Sequence, residues 1–237
     1  TGILAAAALT LTAAGLLFAG PINPPAGPVS STYKTLTEVE PRIAINLTNT
    51  PGDADSLFKI TQPGSYYLTG NIIGVVGKHG VEIVASGVTL DLMGFDLSGI
   101  PAMGAFDGVS ASVNGLANIT IRNGSVRGWG DEGVDLGTNV AINSTVIDVR
   151  ASGNSGNGIL IGRDSTISGC AARANTGNGI TASSGSTISN CTASFNTGRG
   201  ILTGTGCTIT GCSAYANGTD GIVAVSGCTI TNCTAYN

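Results

Sequence analysis

From about residue 150 onward, apolar and polar positions recur with a period of 21 residues. Runs of three to five residues, such as TIT and GILI, alternate between apolar and polar side chains and are separated by Gly and Asn. This alternation predicts short β-strands, and the intervals leave no room for a helix. Short repeated strands bury their apolar sides only by stacking coil on coil, which predicts an all-β parallel β-helix. Two sets of isoleucines mark the period: Ile159, Ile180, Ile201 and Ile222, and Ile167, Ile188, Ile209 and Ile230.

The preceding part of the chain follows the same scheme with longer coils. Three segments between residues 79 and 153 each open on a polar residue before Gly-Val and continue with apolar alternation. Residues 33–73, which contain GSYYLTGNI, are predicted to form an N-terminal cap and the first coil, and residues 74–237 the solenoid. The sequence stops at Asn237 in the middle of a coil, so we expect a fragment of a longer solenoid.

The first twenty residues, TGILAAAALTLTAAGLLFAG, are almost wholly apolar, and residues 21–32 form a Pro-rich linker. Proline cannot continue a helix, so this pattern is typical of the apolar region of a secretory signal. An uncleaved membrane anchor or a buried core helix remains an alternative. We therefore expect a secreted or cell-surface protein.

Charge restricts the possible partners. The formal net charge is -4 and only 10% of residues are charged, which argues against binding to nucleic acid or to an anionic membrane. Membrane contact is predicted only through an uncleaved N-terminus. The hydrophobic content of 42% argues against disorder.

Four cysteines share one position of the repeat, which Val149 holds one coil earlier: Cys170, Cys191, Cys212 and Cys233. Cysteine in the place of valine predicts a small buried apolar side chain. A disulfide between stacked neighbours is an alternative, because Cα atoms about 4.8 Å apart allow it while parallel Cβ directions strain it. The C-x4-C spacing follows from the repeat itself, and we predict no metal at these thiols.

Other repeated positions predict a ladder and outward rows. Asn154, Asn175, Asn196 and Asn217 fall at a turn where amides can bond along the stack. Threonines and serines of the TIT and TIS runs predict two outward hydroxyl rows, which resemble the threonine arrays of ice-binding β-solenoids. A mostly apolar outward row is a candidate surface for self-association: Leu160, Thr181, Leu202 and Val223.

The motifs VTLDLMGFDLSG, NITIRNGSVRG and GCTITGCSAYANGTDGI resemble those of right-handed parallel β-helix repeat proteins. This broad group includes pectate-lyase-like enzymes and many secreted bacterial proteins. The resemblance covers residues 33–237 and implies a right-handed β-helix. Because this fold hosts enzymes, adhesins and inert scaffolds, the resemblance alone does not imply one activity. The chain lacks the paired Asp-Asp and Gly-His-Gly motifs of polygalacturonases and the Arg-x-Pro signature of pectate lyases.

A polar residue stands before each Gly-Val or Gly-Ile, and stacking places these residues in one column: His79, Asp107, Glu132, Asn157, Asn178, Arg199 and Asp220. Asp107 and Glu132 then lie about 5 Å apart on adjacent coils. Two carboxyl groups at that distance suit the acid/base and nucleophile pair of a retaining glycosidase. They could equally bind calcium through oxygen, and no other cofactor is predicted.

The segment SVRGWGDEG surrounds this pair with further candidate binding residues. If the site is catalytic, Arg127 would hold an anionic sugar, Trp129 would stack on the ring, and Asp131 and His79 would complete the binding site. The alternative is that turn positions simply favour polar residues.

These patterns predict a rigid extracellular binding or structural scaffold, with polysaccharide or a cell-surface glycan as its partner. A polysaccharide lyase or glycoside hydrolase that uses Asp107 and Glu132 is the first alternative, and an ice- or crystal-binding threonine face is the second.

Overall fold

The computed structural model describes residues 40–137 and 141–236, and every regular element in this part of the chain is a β-strand. The predicted signal or anchor segment, the Pro-rich linker and residues 33–39 of the predicted cap lie outside the described residues. No helix within the described ranges has the length and apolar character needed to cross a membrane.

The strands stack in three rows, and each coil contributes one strand to each row. Row 1 is an eight-stranded sheet: β2 (Ser56–Ile60), β5 (His79–Ile83), β8 (Val109–Ala111), β11 (Val134–Asp135), β14 (Ile159–Ile161), β17 (Ile180–Ala182), β20 (Ile201–Thr203) and β23 (Ile222–Ala224). We number the coils 1 to 8 by these strands.

Rows 2 and 3 belong to a second sheet of 15 strands. Row 2 contains β1 (Ile43–Ala44), β3 (Gly64–Tyr67), β6 (Val88–Asp91), the first halves of β10 (Thr120–Arg127) and β13 (Thr145–Ser152), β15 (Thr166–Ser168), β18 (Thr187–Ser189), β21 (Thr208–Thr210) and β24 (Thr229–Thr231). Row 3 contains β4 (Ile72–Ile73), β7 (Asp96–Ser98), the second halves of β10 and β13, β16 (Ala171–Arg173), β19 (Thr192–Ser194), β22 (Ser213–Tyr215) and β25 (Thr234–Tyr236). A separate pair, β9 (Leu116–Ala117) and β12 (Ala141–Ile142), joins the longer turns of coils 3 and 4.

The inward positions form continuous apolar columns, as the period predicted. In row 2, Leu90, Ile121, Val146, Ile167, Ile188 and Ile209 are each 0% exposed. Row 3 presents smaller side chains inward from coil 4 onward: Ala151, Ala172, Ala193 and Ala214. All strand pairs within the rows are parallel and in register, so the prediction of a parallel β-helix is confirmed.

In coils 3 to 8 a one-residue bend separates row 2 from row 3. The residues there have φ between 52° and 65°, the left-handed region: Asn123, Asp148, Gly169, Asn190, Gly211 and Asn232. Glycine, asparagine and aspartate adopt this conformation most readily, which explains why only these three residue types occupy the bend.

The predicted asparagine ladder is present and buried. The side-chain amide of each asparagine donates to Oδ1 of the next, at 3.0 Å from Asn154 to Asn175, 2.9 Å from Asn175 to Asn196 and 3.0 Å from Asn196 to Asn217. Each Oδ1 also accepts the backbone N–H of the preceding asparagine. The ladder therefore satisfies the hydrogen-bond donors and acceptors of a turn that contacts little water.

The cysteine column lies in the core. Cys170, Cys191 and Cys212 are 1 to 2% exposed, and all six cysteines are free thiols. The thiol of Cys191 donates to the Ser189 carbonyl at 3.2 Å, so the group is satisfied without a disulfide or a metal.

We expect iodoacetamide to leave Cys170 and Cys191 unmodified in the native protein and to modify both after denaturation, because thiolate formation requires access to water. Peptide mass spectrometry under both conditions measures this. Absence of the alkylated peptides even after denaturation without reductant would instead show that the thiols are paired.

Row 2 also carries the predicted outward hydroxyls, in a longer column than the repeat alone indicated. Strand register aligns Ser65, Thr89, Thr120, Thr145, Thr166, Thr187, Thr208 and Thr229. The outward column of row 1 is charged or polar in coils 1 to 4 and mostly apolar beyond: Lys59, Glu82, Ser110, Asp135, Leu160, Thr181, Leu202 and Val223.

Candidate functional site

The structure contains the polar column that the sequence predicts ahead of the row 1 strands. The backbone N–H of Asp107 donates to Nδ1 of His79 at 2.9 Å, and that of Glu132 donates to Oδ1 of Asp107 at 3.0 Å. The Asn157 amide continues the line by donating to Oε1 of Glu132 at 2.8 Å. Side chains of adjacent coils are thus linked by hydrogen bonds along the axis of the solenoid.

Three carboxylates converge in coils 3 and 4. Oxygen atoms of Asp107, Glu132 and Asp135 all lie within 4.8 Å of one another. Asp107 is buried at 5% exposure, and the other two are half-buried. We call these three residues the acid cluster. Asp107 and Glu132 come from the turn, whereas Asp135 points outward from β11.

Burial and charge repulsion raise the pKa of two members of the acid cluster. Burial raises the pKa of Glu132 to about 7, aided by the hydrogen bond and charge of Asp131 and the charge of Asp107, while the Asn157 amide acts in the opposite direction. Burial, together with the charge of Asp107, raises the pKa of Asp135 to about 6. Glu132 is therefore able to give and take a proton near neutral pH.

His79 closes one end of the cluster. Its Nδ1 accepts a backbone N–H, so the neutral ring carries its proton on Nε2. Burial lowers its pKa, but the hydrogen bond and charge of Asp107 and the charges of Glu82 and Asp55 outweigh this effect and raise it. Protonation of Nδ1 would exchange the backbone hydrogen bond for an ion pair with Oδ2 of Asp107, 3.3 Å away.

Because Gly156 has no side chain, it leaves room for the carboxyl groups of Asp131 and Glu132 side by side. A Cβ atom at this position would lie 2.6 Å from Oδ1 of Asp131 and 2.9 Å from Cδ of Glu132. Both distances are shorter than van der Waals contact, so any side chain here would displace the carboxyl groups. Asp131 is thereby placed beside the acid cluster, as the sequence predicted.

Asp135 belongs to the acid cluster, although the sequence pattern did not identify it as a candidate. It lies three residues after Glu132, in an outward column whose later members are Leu160, Thr181 and Leu202. The available signal was the change of this column from polar or charged in coils 1 to 4 to mostly apolar in coils 5 to 8.

Arg127 lies apart from the acid cluster. It faces outward from row 3, and its Nε donates to Oδ2 of Asp96 at 2.6 Å. Its side chain is 56% exposed. The structure records no contact between Arg127 and Asp107 or Glu132, so the predicted grouping of these residues around one sugar is not formed.

The expectation that Trp129 stacks on a ligand is wrong for this structure. The ring is 1% exposed, and its Nε1 donates to the Leu97 carbonyl at 3.1 Å. Its backbone N–H donates to Oδ1 of Asn154, so Trp129 heads the asparagine ladder. A side chain of this size fills the core where the coils change from 25 to 21 residues, and its role is packing.

A cleft of about 470 Å³ is lined by the loop of residues 99–104 and by Gly128, Trp129, Gly130, Gly153 and Ser155. The lining ends one residue before Asp131 and includes no member of the acid cluster. Five of its eleven residues are glycines, and Ile100, Met103 and Trp129 are its large side chains.

The acid cluster has the oxygen ligands that calcium prefers. A second carboxylate group, Asp53, Asp55 and Glu82, already has a cation, because Nζ of Lys59 lies 2.6 Å from Asp53 and 2.8 Å from Glu82. Of these two groups, only the acid cluster is without a lysine or arginine partner in the described part of the chain.

Comparisons with known proteins agree with this fold. Residues 107–237 match the profile of the right handed beta helix region. Because the match includes more than half of the chain, the protein belongs to the right-handed parallel β-helix family. A search of curated proteins found no match.

Two solved structures are similar to this chain. The A-module of the mannuronan C-5 epimerase AlgE4 from Azotobacter vinelandii has a TM-score of 0.56 and 18% identity, over 81% of this chain and 65% of that chain. Pectate lyase Pel9A has a TM-score of 0.50 and 15% identity, over 73% of this chain and 55% of that chain. This chain therefore spans less than two thirds of either structure. At such identities the likeness establishes the fold alone.

Proposed function

We propose that this protein is an exported scaffold that binds a polysaccharide along its side. The observation that carries the proposal is the coil-by-coil repetition of outward chemistry, above all the row 2 column of eight hydroxyl side chains from Ser65 to Thr229. The names of the two similar structures, an epimerase of mannuronan and a lyase of pectate, also support polysaccharide as the ligand.

Regular spacing favours a polymeric ligand. Equivalent side chains recur about every 4.8 Å along the axis, so a chain of repeated sugars can make the same contact at several coils. Each contact is weak, but linked contacts add through their high effective concentration. A single sugar would gain none of this advantage.

A second candidate function is hydrolysis or elimination at the acid cluster. The observation that favours it is the half-buried Glu132 with a pKa of about 7 beside the buried Asp107. Glu132 would exchange the proton, and Asp107 would act as the partner carboxylate. Oxygen atoms within 4.8 Å suit a retaining glycosidase, whose carboxyl groups are about 5–5.5 Å apart, better than an inverting one.

One experiment tests both functions. The purified chain is mixed with a panel of insoluble and acidic polysaccharides, and each tube is assayed for retained protein and for released sugar ends. We expect retention on at least one polysaccharide, and we expect Glu132→Gln to retain equally. If the acid cluster is catalytic, release of sugar ends should fall at least about a hundredfold in Glu132→Gln, the usual size of a lost acid/base contribution.

Asp220→Asn is the matched control, since Asp220 is an exposed acid of the same polar column in coil 8. It should leave retention and release unchanged. If protein is retained on a polysaccharide and no tube shows released sugar ends, the result supports the scaffold alone. If protein is retained on none of the polysaccharides, the result contradicts the proposed function.

A further inference from the structure

Row 3 carries a surface that is separate from the acid cluster. Six arginine and aromatic side chains follow one another along its outer side, and we call them the arginine–aromatic strip: Arg127, Arg150, Arg173, Phe195, Tyr215 and Tyr236. The strip runs from coil 3 to coil 8, a length of roughly 24 Å at the spacing of stacked strands.

Strand register sets the arrangement of the arginines. Arg127 pairs with Ser152 and Arg150 with Ser125, so the two arginines are diagonal neighbours on β10 and β13. Arg150 and Arg173 are diagonal in the same way on β13 and β16. Diagonal neighbours on one sheet face are about 7–8 Å apart, which gives a zigzag of three guanidinium groups.

Two of these charges have no acidic partner. Arg127 is paired with Asp96, but no ion pair or side-chain hydrogen bond of Arg150 or Arg173 occurs within the described residues. The outward positions of row 3 contain no acid from coil 3 to coil 8, and the nearest in sequence is the exposed Asp148 in the bend. A basic surface thus lies on a protein whose net charge is -4.

The aromatic half is also solvent-accessible. Phe195 is 48% exposed and Tyr236 59%. The guanidinium carbon of Arg173 lies 4.5 Å from the Phe195 ring centre, Phe195 meets Tyr215 edge to face, and Tyr215 stacks on Tyr236 at 5.7 Å. The rings therefore pack against one another, while Phe195 and Tyr236 stay exposed to solvent.

We propose that the arginine–aromatic strip binds a polyanionic polysaccharide that lies parallel to the solenoid axis. This inference rests on the proposed function, places the ligand on row 3 of the sheet that also carries the row 2 hydroxyl column, and adds the charge of the ligand. Guanidinium groups bind carboxylate or sulfate through paired hydrogen bonds. The exposed parts of the aromatic rings offer apolar surface for sugar C–H groups, and tyrosine hydroxyls can form hydrogen bonds with sugar hydroxyls.

Charge complementarity alone would also suit a nucleic acid, but the charge of the whole protein favours a glycan. Nucleic-acid-binding domains usually carry a net positive charge, whereas this chain has a net charge of -4 and only 10 lysines and arginines. We therefore argue for a glycan and use an oligothymidylate as the competing probe.

The test uses three polymers with one backbone: neutral dextran, carboxymethyl-dextran and dextran sulfate. Their affinities for the chain are measured by biolayer interferometry at two salt concentrations. We expect the anionic polymers to bind and neutral dextran to bind at least about tenfold more weakly, with the difference shrinking at high salt. Preference between the two anionic polymers distinguishes carboxylate from sulfate ligands.

Variants then locate the site. Arg150→Gln combined with Arg173→Gln should lower affinity for the preferred anionic polymer by about tenfold or more, since two charge-assisted contacts are lost. Lysine at both positions should restore part of the affinity, because the charge returns without the planar fork. Arg163→Gln is the matched control: Arg163 is exposed, has no ion pair within the described residues, and lies in the turn between rows 1 and 2.

The outcomes separate this inference from the proposed function. If the wild type binds a polysaccharide and the double glutamine variant binds equally well, the strip is not the site, although the proposed function stands. If an oligothymidylate probe binds as tightly as the anionic dextrans, the glycan assignment is wrong. Failure of the wild type to bind these dextrans and every member of the polysaccharide panel contradicts both.

Discussion

Replacing Asn175 by leucine is expected to lower the free energy of unfolding by about 3–5 kcal/mol. Oδ1 of Asn175 accepts the backbone N–H and the amide of Asn154 at 3.1 and 3.0 Å. Its own amide donates to Asn196 at 2.9 Å and to the Ala151 carbonyl at 3.3 Å. These groups are buried, so leucine would leave donors and acceptors without partners, and each costs about 1–3 kcal/mol.

Urea unfolding followed by circular dichroism measures this effect. Asn190→Gly is the matched control, because Asn190 is exposed in the left-handed bend, where Gly211 holds the same place one coil later. Glycine adopts that conformation freely, so the control should change stability by less than about 0.5 kcal/mol. A leucine variant as stable as the control would show that the ladder contributes little.

Replacing Glu132 by glutamine is expected to stabilise the protein at pH 8 by about 1–2 kcal/mol and to leave it unchanged at pH 4. The pKa of Glu132 is raised from 4.5 to about 7, so the folded state binds its proton more tightly than the unfolded state does. The resulting stability is complete below pH 4.5 and is lost as the pH rises from 4.5 to 7. The expected stabilisation at pH 8 is smaller than the full pKa shift would give, because solvent reaches this half-buried group.

Glutamine cannot ionise, and its side-chain oxygen can still accept the Asn157 amide, so the variant avoids this loss. Thermal unfolding at both pH values measures the difference, with Asp220→Asn as the control. The pKa of Asp135, raised from 3.8 to about 6, gives the wild type a further loss of stability in the same direction as the pH rises. Equal stabilities at pH 8 would mean that the Glu132 carboxylate is not repelled in the folded state.

The columns were predictable because their period is strict. From row 2 of coil 4 onward, stacked neighbours are 21 residues apart, so alignment of the repeats alone identified the asparagine ladder and the buried cysteines. The polar column also followed from its place before each Gly-Val or Gly-Ile, and it brought Asp107 next to Glu132.

Residues that break the period were missed or misread. Trp129 stands one coil before the first ladder asparagine and 25 residues from it, so the 21-residue repeat does not show whether its side chain points inward. Phe195 and Tyr215 are 20 residues apart and meet although Phe195 lies one residue past β19, in a left-handed turn with φ of 57°. Arg150 and Arg173 are diagonal neighbours, so alignment at a fixed period does not bring them together.

The asparagine ladder also bears on how such a chain can change in length. From coil 5 onward each coil offers its successor nearly the same acceptors and donors that it meets in its predecessor. In-frame duplication or loss of one 21-residue unit would therefore leave every remaining junction with a matching partner, which makes the length of the rod adjustable in whole coils. Coils 3 and 4, with their extra strand pair β9 and β12, lack this interchangeability, so the acid cluster lies in the part of the chain that such events would disrupt.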